Sequence, residues 1–146
     1  GVQTDLSRSR IAVAERVMHD RECPGGGWNF GNGEVYGKGL PAHVPTTALG
    51  VLAMQDHGDD PLVRRAVAFL ESHALVEGST SALALSALAL SALGRPVEPL
   101  VARLAEHAED AIAFGNVAPI AMASCALTAA MAGGAPRALT LARGTP

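Results

Sequence analysis

The stretch Thr80-Ser81-Ala82-Leu83-Ala84-Leu85-Ser86-Ala87-Leu88-Ala89-Leu90-Ser91-Ala92-Leu93 contains no charged residue. A helix that is apolar or small on every side has no solvent face, so it must be covered on more than one side. Two further stretches have the same character, residues 46–54 and 117–131. Between the uncharged stretches run segments of a different kind. Ile11, Ala14 and Met18 with Val13 and Val17 mark the first, and Leu62, Ala66 and Leu70 with Val63 and Val67 the second. The third carries Val97, Val101, Leu104 and Ala108. These apolar positions recur at helical spacing, while Glu15, Arg64, Arg65, Glu71, Glu98, Arg103 and Glu106 fill the opposite faces.

The order is therefore amphipathic, uncharged, repeated three times. Boundary residues agree with it. Pro45, Pro61, Pro96 and Pro119 fall near the expected helix starts, Asp60 and Ser79 are suited to N-caps, and Gly58, Gly94 and Gly133 follow helix ends. The uncharged segments begin about 34 and 40 residues apart, from Thr46 to Thr80 to Ile120, which is the period of a helical hairpin. The expectation is an all-α chain of about three antiparallel helical hairpins, with uncharged helices inside and amphipathic helices outside. No alternating stretch argues for a sheet. The whole chain, residues 1–146, reads as one domain, with a Gly-rich loop at 21–43 and a frayed tail at 135–146.

Composition narrows the function. With 14 acidic and 11 basic residues the net charge is -3, and no basic run could track phosphates, which argues against a nucleic-acid partner. Cys23 and Cys125 have neither a zinc-finger nor a disulfide-framework spacing, so the expected compartment is reducing and cytoplasmic, with no metal and no cofactor. Residues 1–10 are polar and lack the apolar core of a secretory signal; a chain that starts at Gly1 fits a processed or excised segment. The uncharged run between Asp110 and Arg137 is long enough to span a bilayer in principle. Its Ala-rich content, interrupted by Asn116, Pro119, Ser124 and Thr128, reads instead as a buried helix, and no membrane span is expected.

The loop at 21–43 concentrates the unusual residues: the only Trp, the only Tyr and Phe30. Gly37-Lys38 is not a Walker A loop, because Asn32 stands where the first glycine belongs and Gly39 where Ser or Thr belongs. Gly31 and Gly33 lack the third glycine of a dinucleotide fingerprint. Two readings remain. In one, Trp28 and Phe30 are packing anchors at helix ends. In the other, Trp28, Asn29, Phe30, Tyr36, His43, Thr46 and Thr47 form the mouth of a ligand site, where the start of an uncharged helix presents free amide donors.

Gly26-Gly27-Trp28-Asn29-Phe30-Gly31-Asn32, followed by Pro45-Thr46-Thr47-Ala48-Leu49-Gly50-Val51-Leu52-Ala53-Met54, resembles the prenyltransferase and squalene-oxidase repeat. That repeat builds the α/α toroids of terpenoid cyclases and of protein prenyltransferase β subunits. The motif covers about a quarter of the chain. The resemblance implies a partial α/α toroid, about half a ring, with Trp28 stacked over its neighbouring helix. Where the family has Gln six residues before Trp this chain has Glu22, and Gly25 replaces the usual acidic residue before Gly-Gly-Trp. The carboxylate of Glu22 is expected to accept a backbone bond at a helix end, as the amide would.

The resemblance also implies chemistry to look for. Class II cyclases protonate from an Asp-x-Asp-Asp motif; Asp56-His57-Gly58-Asp59-Asp60 is one residue too long, and Asp60 before Pro61 is better explained as an N-cap. Prenyltransferases hold zinc with Asp, Cys and His. Here Cys125 lacks an acidic neighbour, and Cys23 with Glu22, Asp20 and His19 does not close a tetrahedral site. His43 remains a candidate proton donor or acceptor. The uncharged helices contain no aromatic residue to guide a carbocation. The expectation is a non-catalytic repeat module that binds a protein or an apolar small molecule, and that self-associates or docks on missing repeats of a parent protein. The alternative is a fragment of a cyclase or prenyltransferase-like enzyme whose catalytic acid or metal ligands lie outside this chain.

Overall fold

The computed structural model describes residues 4–113 and 115–133. Six helices follow one another: α1 (Asp5–Asp20), α2 (Val44–Ala53), α3 (Pro61–Glu77), α4 (Thr80–Ala92), α5 (Glu98–Ala113) and α6 (Val117–Met131). The described residues are all-α apart from one two-stranded ribbon in the long loop, and the uncharged segments are α2, α4 and α6. The side chain of Ala108 and the tail 135–146 lie outside the described residues.

Local chemistry sets the ends. Asp60 caps α3 by accepting from the Leu62 amide at 2.8 Å, with Pro61 as the first helical residue. Ser79 caps α4 by accepting from the Ala82 amide at 3.2 Å. Pro99, rather than Pro96, occupies the first turn of α5. A short 3-10 turn over Gln55–His57 follows α2, and Gly94 and Gly133 lie just beyond α4 and α6.

The core is centred on α4. This helix packs most extensively on α6 and α2, and also on α5 and α3. Residues Ala82 to Leu90 are buried without interruption. Successive residues of a helix are 100° apart, so Leu83 and Leu90 lie on one side of α4 and Leu85 and Leu88 on the opposite side, and both sides need a neighbour. Burying a leucine fully stabilises by about 1.5 to 3 kcal/mol. From α3, Leu62, Val63, Ala66, Val67, Leu70 and Ala74 face the core; from α5, Leu100 and Leu104 do. The result is a row of uncharged helices, α2, α4 and α6, overlaid by the amphipathic α3 and α5. Pro61-Leu62-Val63 and Pro99-Leu100-Val101 are the same tripeptide at the start of the two overlying helices, a repeat of 38 residues.

Two expectations fail. The first amphipathic helix, α1, buries no residue, and Leu6, Ile11, Val13 and Val17 are exposed. An amphipathic pattern creates a face that can be buried, but burial needs a neighbour along that face. The long loop contains a ribbon that no alternation announced, β1 (Glu34–Val35) paired antiparallel with β2 (Lys38–Gly39). It is turn chemistry that makes it: Tyr36 and Gly37 have φ of 51° and 72°, the pair of positive values a type I′ hairpin requires. Four strand residues are too few for a periodicity to register.

Candidate functional site

The loop at 21–43 is fastened to the helical row by Trp28, which is 3% exposed. Its indole Nε1 donates to the Met18 carbonyl at the end of α1 at 2.8 Å. Its backbone amide donates to Thr47 Oγ1 at 3.0 Å, while that hydroxyl donates to the Trp28 carbonyl at 3.2 Å. The His43 amide donates to the same carbonyl at 2.9 Å. The indole ring lies directly on Gly50 of α2, where an added Cβ would overlap ring carbons Cε3 and Cζ3. Gly27, at φ 81°, lets the chain pass against Thr47 in a conformation that L side chains rarely adopt. The stacking of Trp28 on a neighbouring helix is thus a contact between an aromatic ring and a bare stretch of backbone.

Glu22 acts differently from the expectation. Its two carboxylate oxygens accept from Nε and Nη2 of Arg65 on α3, both at 2.7 Å, rather than from a backbone amide. This fork-to-fork geometry matches the planar guanidinium and holds the start of the loop against α3. The hydrogen bond to Glu22 raises the Arg65 pKa further above its ordinary value. Beside it, burial pushes the Cys23 thiol up; a backbone hydrogen bond at Asn29 partly offsets this and the Glu22 charge adds to it. Cys23 is therefore a buried thiol held in its protonated form.

The residues expected to form a mouth separate into four groups. Trp28 and Thr47 are buried and hold the loop to α2. Asn29 organises the loop itself: its Oδ1 accepts from the Gly31 amide at 2.8 Å and its Nδ2 donates to the Asn32 carbonyl at 3.0 Å. Phe30 and Tyr36 are 84% and 100% exposed. The Phe30 ring lies 5.2 Å from that of the exposed His43, tilted by 59°. Thr46 has a buried hydroxyl without a hydrogen-bond partner.

Two concavities lie elsewhere, at the C-terminal ends of the uncharged helices. One, of about 790 Å³, lies between the turn after α2 and the end of α4, and includes Asp56, Asp59, Arg64, Glu71 and Arg95. Arg95 pairs with Glu71 across it at 2.7 Å. The other, of about 600 Å³, lies between the end of α4 and the end of α6, lined by Val97, Val101, Ala102, Ala130 and Met131 among others. They occupy successive intervals of the helical row. Neither is lined by the loop residues. Sequence reasoning passed over both because each is made by turns distant in the chain; the Gly94-Arg95-Pro96 turn shared between them was the available signal.

Asp60 and Asp56 are occupied structurally. Asp60 caps α3 with Oδ1 while Oδ2 meets His19 Nε2 at 3.2 Å, and His57 Nε2 meets Glu15 at 3.1 Å and Asp56 at 3.6 Å. These contacts tie α1 to the turn after α2. Ser72 and His73 touch at 2.7 Å on the exposed side of α3, but the hydroxyl lies at 2.9 Å from the Ala68 carbonyl, the back-bonding usual for a helical serine. Among the described residues, no group of three or more His, Cys, Asp and Glu could hold a metal ion, and no helix is long and apolar enough to cross a membrane.

The remaining feature is the uncovered side of the row. On α6 only Ala123, Ala126 and Ala129 are buried, and the opposite face presents Val117, Ala118, Ala121, Ser124, Cys125 and Thr128 to solvent, with Met131 at its end. Met131 and Val117 are 90% and 77% exposed. On α2 the uncovered positions are Leu49 and Ala53. No charged side chain stands on either face. Comparison with protein families, with curated proteins and with solved structures finds no match to this chain.

Proposed function

We propose that this chain is a non-catalytic helical-hairpin repeat module of the α/α-toroid type, which binds a protein or an apolar ligand through the sides of its uncharged row. The observation that carries this reading is the exposed face of α6, a helix side of four turns without one charge. Solvent-facing helix sides are ordinarily polar, and contiguous apolar surface on soluble proteins marks binding sites. The toroid assignment draws on the Gly-Gly-Trp resemblance and on the packing of Trp28 over Gly50. Both cysteines are free thiols, which suits a reducing, cytoplasmic setting.

The reading is tested with an environment-sensitive apolar dye at nanomolar chain concentration. Saturable binding is expected, and Val117→Lys with Met131→Lys should lower it at least fivefold while leaving the helical circular dichroism intact. Dye binding that ignores both substitutions refutes it. The same Trp28 packing favours the second reading, a segment of a cyclase or prenyltransferase-like enzyme. An Asp-x-Asp-Asp motif or a zinc triad in the adjoining coding sequence would establish that reading instead.

A further inference from the structure

We infer that Asn32-Gly33, in the long loop, is a site of self-modification: the Gly33 amide displaces ammonia from the Asn32 side chain, and the isoaspartate that follows unseats the loop from α3. The chain has three asparagines, at 29, 32 and 116, and the fold places them in different chemical situations. Attack on a side-chain amide by the nitrogen of the next residue is intramolecular, so it gains from proximity and needs no second molecule. It requires a carboxamide that is free to turn, an N–H not held by an acceptor, and little bulk on the following residue.

Asn29 fails on two counts. Its Oδ1 accepts from the Gly31 amide at 2.8 Å, an Asx turn, its Nδ2 donates to the Asn32 carbonyl at 3.0 Å, and the next residue is the bulky Phe30. Asn116 precedes Val117, whose branched Cβ crowds the nitrogen at the start of α6. Asn32 is exposed and is followed by a glycine, which has no Cβ. Among the described residues, neither the Asn32 side chain nor the Gly33 N–H has a hydrogen-bond partner. The carboxamide can therefore swing onto the nitrogen without a protein hydrogen bond being broken first.

The Gly33 nitrogen gives its proton to solvent and bonds to Asn32 Cγ, while the Cγ–Nδ2 bond breaks and the nitrogen leaves as ammonia. This closes a succinimide ring. Water then opens the ring at either carbonyl, giving aspartate or isoaspartate at 32. In isoaspartate the main chain runs through the former side chain and is longer by one carbon. Gly33 has little room for that shift, because an added Cβ there would already overlap the Glu22 carbonyl. Its own carbonyl accepts from the Leu40 amide at 2.8 Å, beside the ribbon. Glu22, against which it packs, is the residue that pairs with Arg65 of α3. A displaced Gly33 thus disturbs both the ribbon and the loop's fastening to the helical row.

The full chain, incubated at mildly alkaline pH and mapped by peptide mass spectrometry with fragmentation, tests this. Asn32 should convert at least about tenfold faster than Asn29 and Asn116, with both aspartate and isoaspartate forms appearing, and Asn32→Gln should stop the conversion. Equal conversion at Asn29 overturns the assignment. The guanidinium-unfolded chain supplies the reference rate for a sequence without a fold: a folded chain in which Asn32 converts more than about tenfold slower shows that the structure shields the site, and overturns it. In the purified isoaspartate form the Leu40 amide should exchange at least about tenfold faster while the amides of α4 keep their protection. Unchanged protection at Leu40 overturns the unseating of the loop.

Discussion

α3 and α1 are both amphipathic helices of similar length, yet α3 buries six residues and α1 buries none. α3 overlies two members of the row, α2 and α4, and also meets α5. α1 stands at the outer end, joined by the indole of Trp28 and by the His19–Asp60 and His57–Glu15 contacts. The apolar stripes differ less than the surroundings do. α4 and α6 repeat the lesson inside the row, where two uncharged helices differ in burial because one has neighbours on both sides. In a layered array, burial is set by the number of flanking helices as much as by composition.

The largest expected effect falls on the joint between α1 and the row. Trp28→Ala should cost about 3 to 5 kcal/mol of stability and release α1, measured by denaturant unfolding together with amide exchange over Asp5–Asp20. A protein with unchanged melting would show that the indole anchors nothing. The comparison itself is tested by truncation on each side. Leu70→Ala on α3 should cost about 2 to 5 kcal/mol, whereas Ile11→Ala on α1 should stay within about 0.5 kcal/mol. Equal costs would mean that α1 is packed as tightly as α3. A gain rather than a loss sharpens the account of the row. Ser86 is fully buried in α4 with a hydroxyl that has no hydrogen-bond partner. Ser86→Ala removes that unsatisfied group and improves helix propensity, so it should stabilise by about 1 kcal/mol. A loss of stability of that size would mean that the hydroxyl is satisfied in solution.

The candidate site was less legible than the fold. Trp28, Asn29, Phe30, Tyr36, His43, Thr46 and Thr47 are close in sequence and unusual in composition, and that closeness suggested one mouth. Loop residues a few positions apart point wherever the turns send them. The glycines allow tight reversals here, which bury Trp28 and Thr47 and leave Phe30 and Tyr36 in solvent. The surface that supports a binding role instead lies on α6, which the sequence marked only as uncharged and therefore as a helix to be covered.

The sequence by itself determined the alternation of amphipathic and uncharged helices, their boundaries at Asp60-Pro61 and Ser79-Thr80, and the hairpin period. These follow from local rules, since periodicity, capping and proline placement act within a few residues. Only the tertiary structure decided that Glu22 pairs with Arg65, 43 residues away, and that Gly50 is the seat of an indole. It also decided that α1 is left unburied and that α6 keeps a bare side. Such facts depend on which surfaces meet, and a pattern of apolar positions states what a helix can bury without stating what arrives to bury it.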